Sequence, residues 1–167
     1  MAKAANSPHG DLSTVRIGVV GHGVVGSAFT ALVARQRDVI AARTGVSLDV
    51  VRIAVSDAGK HPSQVGGADV VTDAMAVATA KDVDLVVEVM GGTTLAGEVI
   101  RAALEAGKPV VTANKALLAA RSAEFFKIAD ERGIDLLFEA AVCGGIPLIR
   151  PLRESLRGEP IRRVLGI

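Results

Sequence analysis

The chain has 167 residues, a net charge of +1 and an apolar half built almost without aromatics: four Phe, no Tyr and no Trp. That length fits one domain of about 100–200 residues, with a Val/Ile/Leu/Ala core of the kind that parallel strands bury on both faces. The balanced charge gives no electrostatic reason to expect nucleic acid or a membrane surface as partner, the single Cys143 excludes an internal disulfide and a cysteine-based zinc cluster, and no apolar run nears the ~20 residues of a membrane span.

Residues 1–13 are small and polar, lack a signal-peptide core and read as a mobile tail before a domain over 14–167. An apolar strand over 15–20 then runs into Gly21-His22-Gly23-Val24-Val25-Gly26, a G-x-G-x-x-G loop that opens a helix over 24–43, stopped by Gly45. In such a loop Gly21 permits the tight turn, Gly23 lets a pyrophosphate approach the backbone, and Gly26 lets the helix lie against the strand. Free N–H groups at the helix start, with its dipole, face the anion. The loop therefore predicts dinucleotide binding by Gly21, His22, Gly23, Val24, Val25 and Gly26, with His22 acting through its backbone.

A second strand covers 48–55, and 56–68 reads as a Gly/Ser/Pro/Asp loop. A short strand over 70–72 leads to a helix capped by Asp73. The apolar strand 85–89 is broken by Gly91-Gly92-Thr93-Thr94, where Thr93 or Thr94 caps a helix ending at Gly107. A strand over 109–112 follows, then a helix over 122–132 capped by Ser122, a strand over 134–138, a helix opened by Pro147 and closing near Gly158, and a strand over 161–167. This β-α alternation predicts an α/β, Rossmann-type doubly wound, mostly parallel sheet covered on both faces. Ligands of such sheets sit at the carboxyl ends of the strands. The loops after Val20, Val55, Val89, Thr112 and Phe138 should therefore share one edge.

The end of the second strand reads the adenosine ribose. An acid there favours NAD, and a basic residue accommodates the 2′-phosphate of NADP. Ser56, Asp57 and Lys60 occupy that stretch. Asp57 falls later than the usual spacing of about 20 residues for the ribose acid. Gly91, Gly92 and Thr93 let the nicotinamide half pass close to the backbone. Lys115, just past a buried strand, would place a cation at the crevice. Cys143 reads as a small buried apolar residue, and His9 and His61 as solvated loop residues.

Three segments make the chain recognisable: Asp-Leu-Val-Val-Glu-Val-Met-Gly-Gly at 84–92, Val-Val-Thr-Ala-Asn-Lys-Ala at 110–116 and Phe-Glu-Ala-Ala-Val-Cys-Gly-Gly-Ile-Pro at 138–147. In that order and spacing they resemble the N-terminal part of homoserine dehydrogenase, and the resemblance covers 15–167. It implies NAD(P)-linked interconversion of L-homoserine and L-aspartate 4-semialdehyde, on the route to threonine, methionine and isoleucine, in a cytoplasmic homo-oligomer acting on a small molecule. Lys115 matches a family lysine that contacts the cofactor and is implicated in the active site.

Relatives that use NADP often carry Arg where this chain has Ser56, followed by Asp and a nearby Lys. Asp57 and Lys60 fit and Ser56 departs, so the lean is slightly to NADP with NAD open. The segment 139–146 resembles the family's alkali-metal loop, which implies a structural sodium or potassium held by Glu139, Val142, Gly144 and Ile146; otherwise Glu139 caps the next helix or pairs with Arg150. In this family the strand resembling 163–167 leads into a substrate and dimerisation region with a second lysine and the acids that hold homoserine. On that reading the chain is a cofactor-binding fragment with little or no turnover of its own. Two other classes stay in view: another two-domain semialdehyde or amino-acid dehydrogenase, and a dinucleotide-binding regulatory module.

Overall fold

The computed structural model describes residues 13–165. Apart from Ser13, the expected tail lies outside the described residues, as does His9. The opening strand, β1 (Ser13–Val20), buries all of its last four residues, as a strand flanked on both sides must. The chain turns at the glycine loop into α1 (Val24–Thr44), which Gly45 ends in the left-handed region at φ 73°. It returns as β2 (Val46–Ala54), parallel to β1.

The stretch expected as a plain loop holds more structure. After a 3₁₀ turn at Ala58–Lys60, β3 (Gln64–Val65) and β4 (Ala68–Val71) form an antiparallel hairpin about Gly66-Gly67. Two-residue pairing is too short to show in a period-2 pattern; the Gly-Gly pair between Val65 and Ala68 was the available signal. Asp73 caps α2 (Ala74–Thr79) as expected, its Oδ1 accepting from the Ala76 N–H at 2.9 Å.

β5 (Leu85–Glu88), α3 (Thr94–Glu105), β6 (Val110–Thr112), α4 (Lys115–Arg132) and β7 (Leu136–Leu137) complete the series. The sheet order is β3-β4-β2-β1-β5-β6-β7, parallel except for β3 against β4. The expected doubly wound α/β sheet is the one observed. The chain winds outward from β1 through β2 to β4, then restarts beside β1 with β5. The two strands diverge in connection there, and that gap is the ligand crevice of such sheets.

The two faces are covered unequally. Val77, Val99, Ile100, Leu104, Leu117 and Phe125, from α2, α3 and α4, pack with Val86 and Val110 in one core. On the other face Ile17, Val19, Ile53 and Val87 pack with Phe29 of α1. At the amino edge of the sheet Arg16 grips Asp84, its Nε and Nη2 donating to the two carboxylate oxygens at 2.9 and 2.7 Å. That pair ties the start of β1 to β5.

Three further expectations are corrected. α4 begins at Lys115, not 122, and its cap is Asn114, not Ser122. The Ala/Leu run 116–120 favours helix strongly enough to extend it back to the first available cap. The helix expected from Pro147 to Gly158 is shortened to 149–155, of which Pro151–Ser155 is a π-helical turn. Pro151 has no N–H to give the preceding turn, and the Leu156 N–H reaches the Pro151 carbonyl, five residues back, at 2.9 Å. Residues 161–165 pair with no strand among the described residues, and Ile161, Val164 and Leu165 are exposed; Gly166 and Ile167 lie outside the described residues.

Candidate functional site

The crevice is built first by glycines. Gly21 adopts φ +99°, and a Cβ there would stand 2.6 Å from the Met90 Cα, so the turn leaving β1 passes against the chain leaving β5. Its N–H donates to the Ala54 carbonyl at 2.9 Å, tying it to the end of β2. A Cβ on Gly26 would overlap the Gly21 carbonyl oxygen, whereas one on Gly23 would meet open space. Gly21 and Gly26 are thus required by the protein's own packing, and Gly23 faces the side left open.

α1 is left uncapped. Gly23 at its cap position has no side chain to give, and the first turn carries no acidic residue. Its ladder begins with the Ser27 N–H on the Gly23 carbonyl at 2.9 Å, so the amides before Ser27 have no intrahelical acceptor. Such a helix start is suited to an anion. Val24 and Val25 project outward, 89% and 55% exposed.

Two clefts adjoin along this edge, with Val89 lining both. The first, about 360 Å³, lies between the glycine loop and the ends of β2 and β4, lined by Gly21, His22, Gly23, Ser56, His61 and Thr72 among others. The second, about 280 Å³, is lined by Val25, Glu88, Gly91, Asn114 and Lys115. Lys115 is exposed at the first position of α4. Gly91 and Gly92 are both left-handed, at φ 78° and 73°. Thr93 occupies the cap of α3 but makes no side-chain cap bond, and Thr94 is the first helical residue, so neither threonine caps by its hydroxyl as expected.

Ser56 lines the first cleft. Asp57 and Lys60 are turned to each other at 3.3 Å, and Asp57 caps the 3₁₀ turn through the Gly59 N–H at 3.0 Å. His61 is not a solvated loop residue: it is half-buried and sits edge-on to His22 with ring centroids 5.6 Å apart. The Thr30 hydroxyl gives its proton to the Ser27 carbonyl and accepts from His22 Nε2 at 3.1 Å. His22 Nδ1 is buried without a partner among the described residues. Burial, then the charge of His61, holds His22 below its ordinary value.

Sequence reasoning missed one cluster. Glu88, fully buried at the end of β5, accepts from the Met90 N–H at 3.0 Å and the Thr112 hydroxyl at 2.6 Å. Thr112 in turn accepts from the Asn114 N–H at 3.0 Å. The signal was an acid closing an otherwise apolar buried strand, Leu-Val-Val-Glu, since a buried carboxylate needs partners.

At the far side of the sheet, Glu139 presents its carboxylate to the N–H groups of Leu148, Ile149 and Arg150 at 2.5, 3.0 and 2.7 Å. These bonds hold its carboxyl below the ordinary value against the opposing effect of burial. Val142, Gly144 and Ile146 lie on the exposed turn that follows, where Gly144 is left-handed. Cys143 is exposed rather than buried, at φ 56°. Among the described residues no group of three or more His, Cys, Asp or Glu side chains could hold a metal ion, and no helix is long and apolar enough to cross a membrane.

Comparison with known proteins agrees with this geometry. Residues 21–139 match the family model described as homoserine dehydrogenase, NAD binding domain. Homoserine dehydrogenase of Corynebacterium glutamicum is 47% identical over 166 residues, 99% of this chain and 37% of that protein. The Mycobacterium leprae enzyme is 45% identical over 94% of this chain and 35% of its own length. Among solved structures, a homoserine dehydrogenase from Thiobacillus denitrificans superposes with a TM-score of 0.81 at 39% identity, over 87% of this chain and 34% of that one. A hyperthermophilic archaeal homoserine dehydrogenase in complex with NADPH gives 0.71 at 26% identity, over 87% of this chain and 50% of that one. The chain thus spans little more than a third of the curated relatives it matches. It belongs to the homoserine dehydrogenase family, with that family's NAD-binding domain over residues 21–139.

Proposed function

We propose that this chain is the coenzyme-holding part of an enzyme that interconverts L-homoserine and L-aspartate 4-semialdehyde, with NADP slightly preferred over NAD. The observation that carries the reading is the uncapped start of α1 beside the β1–β5 gap, inside a chain of this family. Two clefts that adjoin at Val89 suit the two halves of a dinucleotide. The pyrophosphate is held by the amides of His22, Gly23, Val24 and Val25. Ser56, with Asp57 and Lys60 nearby, meets the adenosine ribose, while Gly91, Gly92 and Thr93 flank the nicotinamide. When bound, the coenzyme supplies hydride exchange at its nicotinamide C4. Lys115 adds a cation at the mouth of the second cleft, next to the reacting end of a small hydroxy- or oxo-amino acid. The NADPH in the archaeal relative supports the lean to NADP.

The donor set at 139–146 suits an alkali cation in part. Backbone oxygens of Val142, Gly144 and Ile146 on an exposed turn are the hard ligands such an ion takes. The Glu139 carboxylate is already met by three amides. Any sodium or potassium held there is structural. It would raise the melting temperature in its chloride salt over choline chloride at equal ionic strength.

Calorimetric titration of the chain with NADP⁺ and NAD⁺ tests the coenzyme reading. Binding of at least one is expected, and silence from both at millimolar concentration defeats it. Homoserine oxidation by a longer protein that includes this chain, compared with its Lys115→Met variant, tests the reaction. A loss of about 100-fold or more in kcat/KM is expected for a lysine at the reacting end. An unchanged rate removes Lys115 from the site.

A further inference from the structure

Two loops form the walls of the second cleft, the Gly91-Gly92 turn after β5 and the 113–115 link between β6 and α4. Besides the backbone bond from the Ala113 N–H to the Glu88 carbonyl at 3.3 Å, a set of side-chain hydrogen bonds joins them, and the Glu88 carboxylate is at its centre. Glu88 and Thr112 are direct neighbours across β5 and β6. The Met90 N–H donates to Glu88 Oε1 at 3.0 Å, which turns the chain toward Gly91. The Thr112 hydroxyl accepts from the Asn114 N–H at 3.0 Å, so its own proton is directed to Glu88 Oε2 at 2.6 Å. Asn114 then uses both ends of its amide. Its Nδ2 donates to the Gly92 carbonyl at 2.7 Å, and its Oδ1 accepts from the Leu117 N–H at 3.1 Å, capping the helix whose first residue is Lys115.

A carboxylate is a costly way to finish a buried strand. Glu88 is fully enclosed, and both oxygens are met by neutral donors. An apolar residue of similar size would avoid that cost but leave the Met90 N–H and the Thr112 hydroxyl without an acceptor. What an apolar residue cannot do is accept from two donors on two different loops at once.

We propose that Glu88 is a positioning residue for the nicotinamide end of the site: through Thr112 and Asn114, it sets the separation between the Gly91-Gly92 turn and Lys115. The inference rests on the reading that the second cleft takes the nicotinamide half of the coenzyme. The adenosine half lies beyond Val89, in the first cleft, where none of Glu88, Thr112 and Asn114 reaches. Met90, whose N–H Glu88 accepts, lines the first cleft too, so loss of the network acts chiefly on the nicotinamide half and reaches the other half only through Met90.

Glu88→Gln keeps the volume but replaces one acceptor by an amide N–H₂, so that either the Met90 N–H loses its acceptor or the Thr112 hydroxyl must turn its proton away. Thr112→Val removes the hydroxyl at constant shape, and Thr112→Ser restores it. The probes are NADP⁺ and its adenosine half alone, adenosine 2′,5′-bisphosphate, titrated into the whole chain with melting temperatures recorded in parallel. E88Q and T112V are expected to weaken NADP⁺ about tenfold while the bisphosphate stays within about twofold, and T112S to match the unaltered chain. Equal weakening of both ligands, with a fallen melting temperature, reduces Glu88 to a structural residue and overturns the proposal. So does an unchanged NADP⁺ affinity in T112V, which tests the same network should E88Q fail to fold. If the unaltered chain binds the bisphosphate and NADP⁺ with equal strength, the second cleft takes no part and the proposal falls while the glycine-loop reading stands. Failure to bind either ligand removes both.

Discussion

The α-carbon of Gly26 sits so close to the Gly21 carbonyl that a Cβ built on it would overlap that oxygen. Loop and helix start are thereby locked into one unit, with the uncapped amides of α1 held at the end of β1. Gly26→Ala has to push α1 off the loop. Overpacking of this kind costs about 1–3 kcal/mol. Thermal unfolding should show a lowered melting temperature for Gly26→Ala but not for Gly23→Ala, whose Cβ would meet open space, while dinucleotide titration should weaken in both.

Arg16 holds the Asp84 carboxyl down at about 2, chiefly through the side-chain hydrogen bond and then the bond from the Arg16 N–H. The folded value lies below the ordinary 3.8, so the chain gains stability from this pair above that value. The gain is lost as pH falls through the window down to about 2. Both side chains are about 40% exposed (42% and 39%), and solvent screening limits the gain to about 1 kcal/mol. Asp84→Asn should flatten the acid limb of the stability curve below pH 4, read by chemical denaturation at stepped pH. An unchanged limb would show that the pair contributes nothing net.

His22 titrates in the opposite region. Its folded value is lowered, first by burial and then by His61, so the unfolded chain takes up its proton first as pH falls. Stability from the neutral ring is complete above the ordinary value near 6.5 and drains away as pH falls through the folded value. One proton can contribute a slope of at most about 1.4 kcal/mol per pH unit. His22→Gln, which keeps a donor for Thr30, should be less sensitive between pH 7 and 5. His61→Ala should weaken the dependence, because it removes the second charge. Identical slopes in all three proteins would overturn the assignment.

Ser56 lines the first cleft without charge, while Lys60 is drawn to Asp57. Ser56→Arg would bring a planar guanidinium that can meet a 2′-phosphate with two hydrogen bonds. NADP⁺ affinity should rise about tenfold, or ~1.4 kcal/mol, with NAD⁺ changed little. Equal gains for both coenzymes would mean that the arginine reaches the pyrophosphate instead.

Much of this was legible along the chain because it depends on near neighbours. The strand running into Gly21-His22-Gly23, the stop at Gly45 and the Asp73 cap each rest on contacts within a few residues. The 3₁₀ turn, the Gly66-Gly67 hairpin and the early start of α4 were hidden. Pairing over two residues leaves no period, and Ser122 offers as good a cap as Asn114 until the packing of Leu117 and Leu118 is known.

The sequence by itself determined the fold class, the glycine loop and the family, because these follow from local conformation and from short segments in a set order. Only the tertiary structure decided that Glu88, Thr112 and Asn114 act together and that His22 and His61 meet. It also turned the Glu139 carboxylate to the start of the next helical segment. Those are contacts between residues 9 to 39 positions apart or across two strands, and which side chains share a buried space is set by how the sheet closes.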